Sequence, residues 1–361
     1  MVRRPPVVLG LDFGGTKIAV AVCDLQGNRL ASATVSTGAA TASEGEDQAR
    51  TAFQRGVQAA RELLDGVTSG AELAAVGVST LGIPYEDRVE LAPAIDGWER
   101  LALGRELRAA FGGVPVEMAT DAKAAAAAEA RWGALHGCDP GVYLNLGTGL
   151  SAAIVVGGQV IYGGDGAAGE IGYNLRSVAD VGLALGERTM LEETVSGLAL
   201  ARRAGGRRGS AGRLTAADVF AAGDSDASLA SLVTEFASEL AFHLVNLAIL
   251  VNPARIAVGG GIVRSWDRIG PALQDALRAG PPFPPELVIG QFPYDAPLLG
   301  AVALAVDAAR PGQPSTAQAG ALPPSTTLPG TTTLAGISPA GEHQVSAVTS
   351  GTLSNNTGVE A

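Results

Sequence analysis

Asp12 stands just before Gly14, Gly15, Thr16 and Lys17 at the end of an apolar run, in the stretch VVLGLDFGGTK from Val7 to Lys17. Successive backbone N–H groups in a glycine turn form a concavity that binds anions. An aspartate at the end of the strand that delivers the turn is placed to hold a magnesium ion through water. The chemistry these types support is phosphate binding, although an ordinary hairpin with a tight Gly-Gly turn would read the same way. A second glycine group, Gly147, Thr148 and Gly149, follows the apolar run VYLNL, and a third, Gly259, Gly260 and Gly261, follows RIAV. Among the carboxylates, Asp121 opens an alanine-rich run after Thr120, Glu170 is embedded in GGDGAAGEIG, and Glu192 lies in LEETVSG. On residue type alone Asp121 reads as a helix N-cap, Glu170 as a loop acid and Glu192 as a solvated helix residue.

The elements around the first turn decide which kind of phosphate site it is. A P-loop or a dinucleotide fingerprint needs a helix directly after its glycines. Here Ile18, Val20 and Val22 alternate with small residues and Asp24 to Asn28 reads as a turn, so the order is strand, glycine turn, strand, turn, strand. Val142 to Gly163 repeats that design around Gly147–Gly149. The repeat predicts a duplicated fold, each half offering one glycine turn to the same ligand, as in a nucleotide clamp.

The remaining elements alternate. A helix is predicted from Asp47 with Phe53, Val57, Ala60 and Leu64 inward, then a strand over Leu73–Ser79 and a loop over a cleft from Leu81 to Gly97. A helix marked by Leu103, Leu107 and Phe111 and a strand over Val114–Ala119 follow. The alanine run predicts a helix from Ala122 to Leu135, capped by Thr120 or Asp121. Met190–Arg203 reads as helix, Thr215 as the cap of another, and Ser231–Val251 as a long, partly buried one. A short strand over Leu287–Phe292 and a helix over Leu298–Ala309 complete the ordered part. From Pro311 the chain is Thr, Ser, Gly, Pro and Ala without period, which predicts a disordered tail over 311–361.

The chain has 361 residues, 47% of them hydrophobic and 4% aromatic, so its cores must be built from Ala, Val, Leu and Gly. The formal net charge of −11 argues against a nucleic-acid partner. The one basic cluster, Arg202, Arg203, Arg207, Arg208 and Arg213, reads as a solvated loop. The two cysteines, Cys23 and Cys138, have no partners at metal-ligand spacing, which fits a cytoplasmic location. The N-terminal MVRRPP carries no signal-peptide hydrophobic region, and Leu240–Val251 is too short to span a bilayer, so no membrane association is expected.

The order LDFGGTK, TDAK, LNLGTG, GAAGEIG, LEETVSG, AVGGGIV, LLGAVALA, spread over residues 7–309, resembles the ROK family, in particular its glucokinase-like sugar kinases. The resemblance implies an α/β, two-lobed actin/hexokinase-like (ribonuclease H-like) fold with ATP and a sugar in the cleft. The lobes would be residues 1–119 and 120–297, with the helix of 298–310 returning to the small one. It implies that Asp12, Gly14, Gly15, Thr16 and Lys17 form the first phosphate loop and hold Mg2+, that Gly147, Thr148 and Gly149 form the second, and that Gly259, Gly260 and Gly261 lie on the adenosine side. Asp121 would be the general base, and Glu170 and Glu192 would contact sugar hydroxyls. A homodimer is also implied.

The departures from the family pattern fall on the acceptor side. Thr120 replaces a sugar-binding asparagine and so offers one hydroxyl in place of an amide donor and a carbonyl acceptor. Tyr173 replaces a histidine that touches both sugar and a structural zinc, and the zinc cysteines are absent between Arg176 and Arg188. No zinc is therefore expected, and that stretch should be held by packing. Ser151, Ala152 and Ala153 stand where relatives have more glycine, which either crowds a close backbone approach at the second phosphate loop or is accommodated because the residues are small; Ala94 replaces an asparagine. The expected activity is an ATP- and magnesium-dependent kinase acting on a primary hydroxyl of a C7-cyclitol, as in aminocyclitol pathways, or of a hexose such as glucose, or an amino sugar. A non-catalytic sugar-binding or sensor homologue is the alternative. A repressor is disfavoured by the net charge and by the six residues before the first strand.

Overall fold

A computed structural model describes residues 5–38, 47–67, 71–92, 94–208, 214–223 and 225–310, all within one unit, Met1–Leu322. The tail expected over 311–361, the first four residues and Arg213 lie outside the described residues. The opening residues form an antiparallel meander of β1 (Pro6–Phe13), β2 (Lys17–Asp24) and β3 (Arg29–Ser36). β1 and β2 carry near-continuous apolar residues because both of their faces are covered. After α1 (Gln48–Val67), β4 (Glu72–Thr80) adds in parallel beside β1. The hairpin of β5 (Ile83–Pro84) and β6 (Val89–Glu90) stands in the loop expected over a cleft. After α2 (Leu103–Ala110), β7 (Val116–Thr120) joins β4 in parallel. The first sheet has the order β3-β2-β1-β4-β7.

α3 (Asp121–Trp132) leads to β8 (Gly141–Leu146), β9 (Leu150–Val156) and β10 (Gln159–Val160). After α4 (Gly197–Arg208), α5 (Ala216–Ala222) and α6 (Ala227–Val251) come β11 (Arg255–Gly259), α7 (Trp266–Ala279), β12 (Glu286–Ile289) and α8 (Ala296–Ala308). The second sheet has the order β10-β9-β8-β11-β12. Strand for strand, this is the topology of the first sheet, as expected of a duplicated fold.

α3 and α8 follow the last strand of each sheet and pack on one another. A Cβ on Gly300 would lie 1.8 Å from the Ala124 carbonyl, so small residues set this approach. α8 also lies on β1 and β4, where a Cβ on Gly77 would fall 1.8 Å from the Ala301 carbonyl. Leu298, Val302 and Val306 bury against Val8, Ala21 and Ala75 there. α6 is long and apolar enough to cross a membrane by length and composition alone, and is longer than the Leu240–Val251 run considered in the sequence. Its residues Leu229, Leu232, Phe236, Leu240 and Leu244 are buried in the second sheet's core.

Four expectations are corrected. Arg202, Arg203, Arg207 and Arg208, read as part of a loop, lie on α4. Glu192 lies on a single 3-10 turn, Leu191–Glu193, and α4 begins only at Gly197, because the chain changes direction at Thr194–Ser196. α6 begins at Ala227, since Asp226 accepts the N–H groups of Ser228 and Leu229 and caps it earlier than the apolar pattern suggested. α7 was absent from the sequence reading.

Candidate active site

Parallel pairing sets the first edge. β1 aligns Asp12 with Ser79, and β4 aligns Thr80 with Thr120, so Asp12, Ser79 and Thr120 share the carboxyl edge of one sheet. Ligands of parallel α/β sheets bind outside that edge. Phe13 packs on Trp98 at 5.2 Å between centroids, and the Trp98 indole N–H donates to Thr80 Oγ1 at 3.0 Å, which fixes the strand end. In the second sheet, β8 and β11 pair Asn145 with Gly259, so Gly147–Gly149 and Gly259–Gly261 share the equivalent edge.

The first glycine turn faces its carbonyls inward. The Gly14 N–H donates to the Lys17 carbonyl at 3.0 Å, the Thr37 hydroxyl donates to the Gly15 carbonyl at 3.1 Å, and the Thr37 N–H donates to the Thr16 carbonyl at 3.1 Å. No backbone carbonyl among the described residues accepts the N–H of Gly15 or Thr16. The second turn is built alike: the Gly147 and Thr148 carbonyls accept the N–H groups of Gly197 and Leu198 at the start of α4, at 2.8 and 3.3 Å. Gly260 has φ +94°, and a Cβ on it would lie 2.5 Å from the Leu146 carbonyl. A cavity of about 400 Å3 adjoins these turns, lined by Thr148, Leu198, Phe220, Gly261 and Ile262 among others. Its largely apolar walls suit an adenine-sized group. These cradles fit a nucleotide. Ser151, Ala152 and Ala153 lie within β9, past the turn itself. The β9 backbone approaches the next loop closely, since a Cβ on Gly169 would lie 2.1 Å from the Ala152 carbonyl.

Asp12 accepts the Ser79 hydroxyl at 2.7 Å. Burial pushes its acid up from 3.8 to about 6; Ser79 pulls it down, Asp121 pushes it up and Lys17 pulls it down again. Among the described residues no three His, Cys, Asp or Glu side chains gather for a metal.

Asp121 is the first residue of α3, with Thr120 as N-cap; the Thr120 side chain accepts the Lys123 N–H at 3.4 Å. Asp121 accepts the Ala122 N–H at 2.7 Å and the Asn145 side-chain amide at 3.1 Å. Burial raises its acid from 3.8 to about 6; the Ala122 N–H opposes this, Glu170 adds to it, and Lys123 and Asn145 oppose it. Glu170 is raised first by burial, against the pull of Lys123 at 3.1 Å. Glu192 accepts the Leu150 N–H at 2.7 Å and is likewise raised by burial. A Cβ on Gly149 would meet Glu192 Oε2 at 2.4 Å, so this acid touches the second glycine turn. The Tyr173 hydroxyl is raised by burial and by Glu192, Glu170 and Glu99. Asp121, Glu170, Glu192 and Tyr173 are thus linked by charge, and Asp12 joins them through Asp121.

Sequence reasoning missed Asn145, Ser79 and Lys123. A polar residue inside VYLNL and a lone lysine in an alanine run were the available signals for two of them; Ser79 gave none. The stretch after Tyr173 also departs from expectation. Polar contacts hold it: Arg188 donates to the Tyr173 and Asn174 carbonyls at 2.7 and 3.2 Å, and Arg176 pairs with Glu239. Val178 and Val181 there are exposed, so packing contributes little.

A profile of the ROK family matches residues 8–308. A glucokinase of Streptomyces coelicolor is 32% identical over 283 residues, covering 73% of this chain and 84% of that protein. A kanosamine kinase of Amycolatopsis mediterranei is 31% identical over 313 residues, covering 83% and 96%. The crystal structure of a ROK family glucokinase from Streptomyces griseus, in complex with glucose and AMPPNP, superimposes with a TM-score of 0.65 at 29% identity, covering 83% of this chain and 99% of that one.

Proposed function

The chain belongs to the ROK family, with its two-lobed actin-like fold, and on that premise we propose that it is an ATP-dependent kinase phosphorylating a primary hydroxyl of a hexose-like acceptor. The observation that carries the reading is the Asn145–Asp121 hydrogen bond of 3.1 Å, which ties a raised carboxylate to the strand delivering a glycine turn. Asp121 takes the proton of the attacking hydroxyl, and an acid near pH 6 is largely ionised at neutral pH yet basic enough to accept it. Thr120, Glu170, Tyr173 and Glu192 orient the acceptor. The N–H groups of Gly15, Thr16, Thr148 and Gly149, with Lys17, hold phosphate oxygens, the Gly14 and Gly147 N–H groups closing their own turns on the Lys17 and Gly149 carbonyls, and Gly259, Gly260 and Gly261 border the nucleoside. Asp12 would hold a magnesium ion, which when bound would supply charge neutralisation at the phosphates.

The acceptor is a hexose, an amino hexose or a C7-cyclitol. Glucokinase and kanosamine kinase relatives at 32% and 31% identity support the first two classes, and the altered residues Thr120 and Tyr173 support an acceptor other than plain glucose. The lobes are residues 1–119 and 120–297, and residues 298–310, most of α8 among them, return to the first. Zinc plays no part in this reading, because Arg176–Arg188 contains no cysteine. Neither nucleic acid nor membrane is a partner, the protein is cytoplasmic, and it is a homodimer through the exposed Phe242, Ile249 and Leu250 of α6.

The test is ADP release with magnesium ATP and a panel of glucose, mannose, N-acetylmannosamine, kanosamine and C7-cyclitols, with Asp121→Asn protein alongside. Acceptor-dependent release that collapses in the variant is expected. Binding of an acceptor without release would instead identify a sugar-binding homologue.

A further inference from the structure

Lys123 is the one charged residue between Asp121 and Glu129 on α3, and it is 1% exposed. Its ammonium lies 3.1 Å from Glu170 Oε1, and no other side-chain or backbone group among the described residues bonds that carboxylate. With Thr120 it also lines a cavity of about 140 Å3 next to Tyr85, Met118 and Asp165. The charged and titratable groups facing Glu170 are Lys123 and Asp121 from α3, Glu192 from the 3-10 turn, and Tyr173 beside it, with Glu99 beyond Tyr173. Lys123 is the sole cation in this set.

We infer that Lys123 is a specificity-determining positioning residue, which fixes Glu170 in place and makes that side of the acceptor pocket read a neutral hydroxyl and refuse an ammonium. The inference rests on the kinase reading above. One Glu170 oxygen is taken by Lys123, and the other is left to accept a hydrogen bond from the acceptor. An acceptor hydroxyl can donate there without cost. An acceptor ammonium on the same carboxylate would sit close to a second buried cation, and that repulsion offsets the attraction of Asp121 and Glu192, whereas a neutral hydroxyl meets no such repulsion. Among the described residues Glu192 has no cationic partner, so an amino group on the acceptor is better tolerated on that side. Without Lys123, Glu170 would be a half-buried carboxylate beside Asp121 and Glu192. Burial and the two neighbouring carboxylates then favour its protonated form, which has one acceptor site fewer.

The experiment compares Lys123→Met, Lys123→Arg, Glu170→Gln and the Lys123→Met/Glu170→Gln double variant. Acceptor KM and kcat are measured from pH 6 to 9 with glucose and its monoamino-deoxy analogues, and acceptor affinity is measured by calorimetry without ATP. Lys123→Met is expected to raise acceptor KM about tenfold at pH 6.5, with kcat at pH 8 within about threefold, and KM should fall back as pH rises. Lys123→Arg should restore it. In the Glu170→Gln background the same change should add less than about twofold, because the lysine acts through that carboxylate. Lys123→Met should also narrow the preference for the hydroxyl acceptor over at least one amino analogue. Additive effects in the double variant, or a KM increase that ignores pH, would overturn the inference and leave the lysine a purely structural residue. Wild-type protein that binds acceptor without turnover counts against the kinase reading, while the calorimetric cycle still decides the role of Lys123. Wild-type protein that binds no acceptor overturns both.

Discussion

Asn145 donates its side-chain amide to Asp121 Oδ2 at 3.1 Å, from the strand position that pairs with Gly259. One amide thereby connects the start of α3 to the edge that carries two glycine groups. It favours the ionised form of Asp121, against burial and Glu170, which push its acid up to about 6. In the wild type, kcat/KM should rise with pH through about 6. In Asn145→Ala that acidic limb should move upward, so activity falls far more at pH 6 than at pH 8. A pH–rate profile with an unmoved limb would mean that Asn145 does not act on Asp121.

Asp121 should also show a trade between activity and stability. An unfolded aspartate titrates near 3.8 and the native one near 6, so between these values the folded state binds more protons. Folding is favoured by this group at acid pH, and that contribution is lost as pH rises through about 6. Asp121→Asn should therefore melt at a higher temperature than wild type at pH 8, with the gap closing toward pH 4. Its kcat should fall by about 10²–10⁴-fold. Calorimetric melts at the two pH values check the first part, and a lower melting temperature at pH 8 would refute it.

The parts legible in the sequence were those written locally. The strand–turn–strand pattern around Gly14 and Gly15, its repeat around Gly147 and Gly149, and the caps at Thr120 and Thr215 all rest on a few adjacent residues, and the structure has them in place. α7 was illegible because Gly270 and Pro271 interrupt its pattern; burial of Ile269, Leu273 and Leu277 on one face overrides those two poor helix formers. The pairing of Lys123 with Glu170 joins residues 47 positions apart, and no spacing rule announces it. Glu192 was assigned to a helix because LEETVSGLALARR keeps a helical pattern, whereas the chain breaks at Thr194–Ser196 to bring α4 against Gly147.

Glu129 should be structural. It is fully buried on α3 and accepts the N–H groups of Ala134, Gln291 and Phe292 at 2.7, 3.1 and 2.8 Å. Pro293, next in that loop, accepts the Gly260 N–H at 3.0 Å. The carboxylate therefore staples α3 to the loop that holds the third glycine group. Glu129→Gln replaces an acceptor oxygen with an amide donor facing other donors. The expected loss is about 1–3 kcal/mol for the group left unsatisfied, read as a lower denaturation midpoint. ATP KM should rise more than acceptor KM, because the loop borders the nucleotide side.

Gly260 gives the sharpest steric prediction. Its φ of +94° suits glycine, and an added Cβ would lie 2.5 Å from the Leu146 carbonyl and 2.9 Å from the Gly147 nitrogen. Neither neighbour is a flexible side-chain end, so the backbone must move. The turn that moves is Gly147–Gly149, whose Gly147 and Thr148 line the cavity proposed for the nucleotide. Gly260→Ala should therefore raise ATP KM by about tenfold or more, while acceptor binding measured without ATP changes little. By contrast, in Gly149→Ala the nearest atom is Glu192 Oε2 at 2.4 Å, the far end of a flexible side chain on the acceptor side. That variant should weaken acceptor affinity as well as ATP affinity. Calorimetry with the ATP analogue AMPPNP and with acceptor separates the two patterns. Equal loss of both affinities in Gly260→Ala would show that the third glycine group is not confined to the nucleotide side.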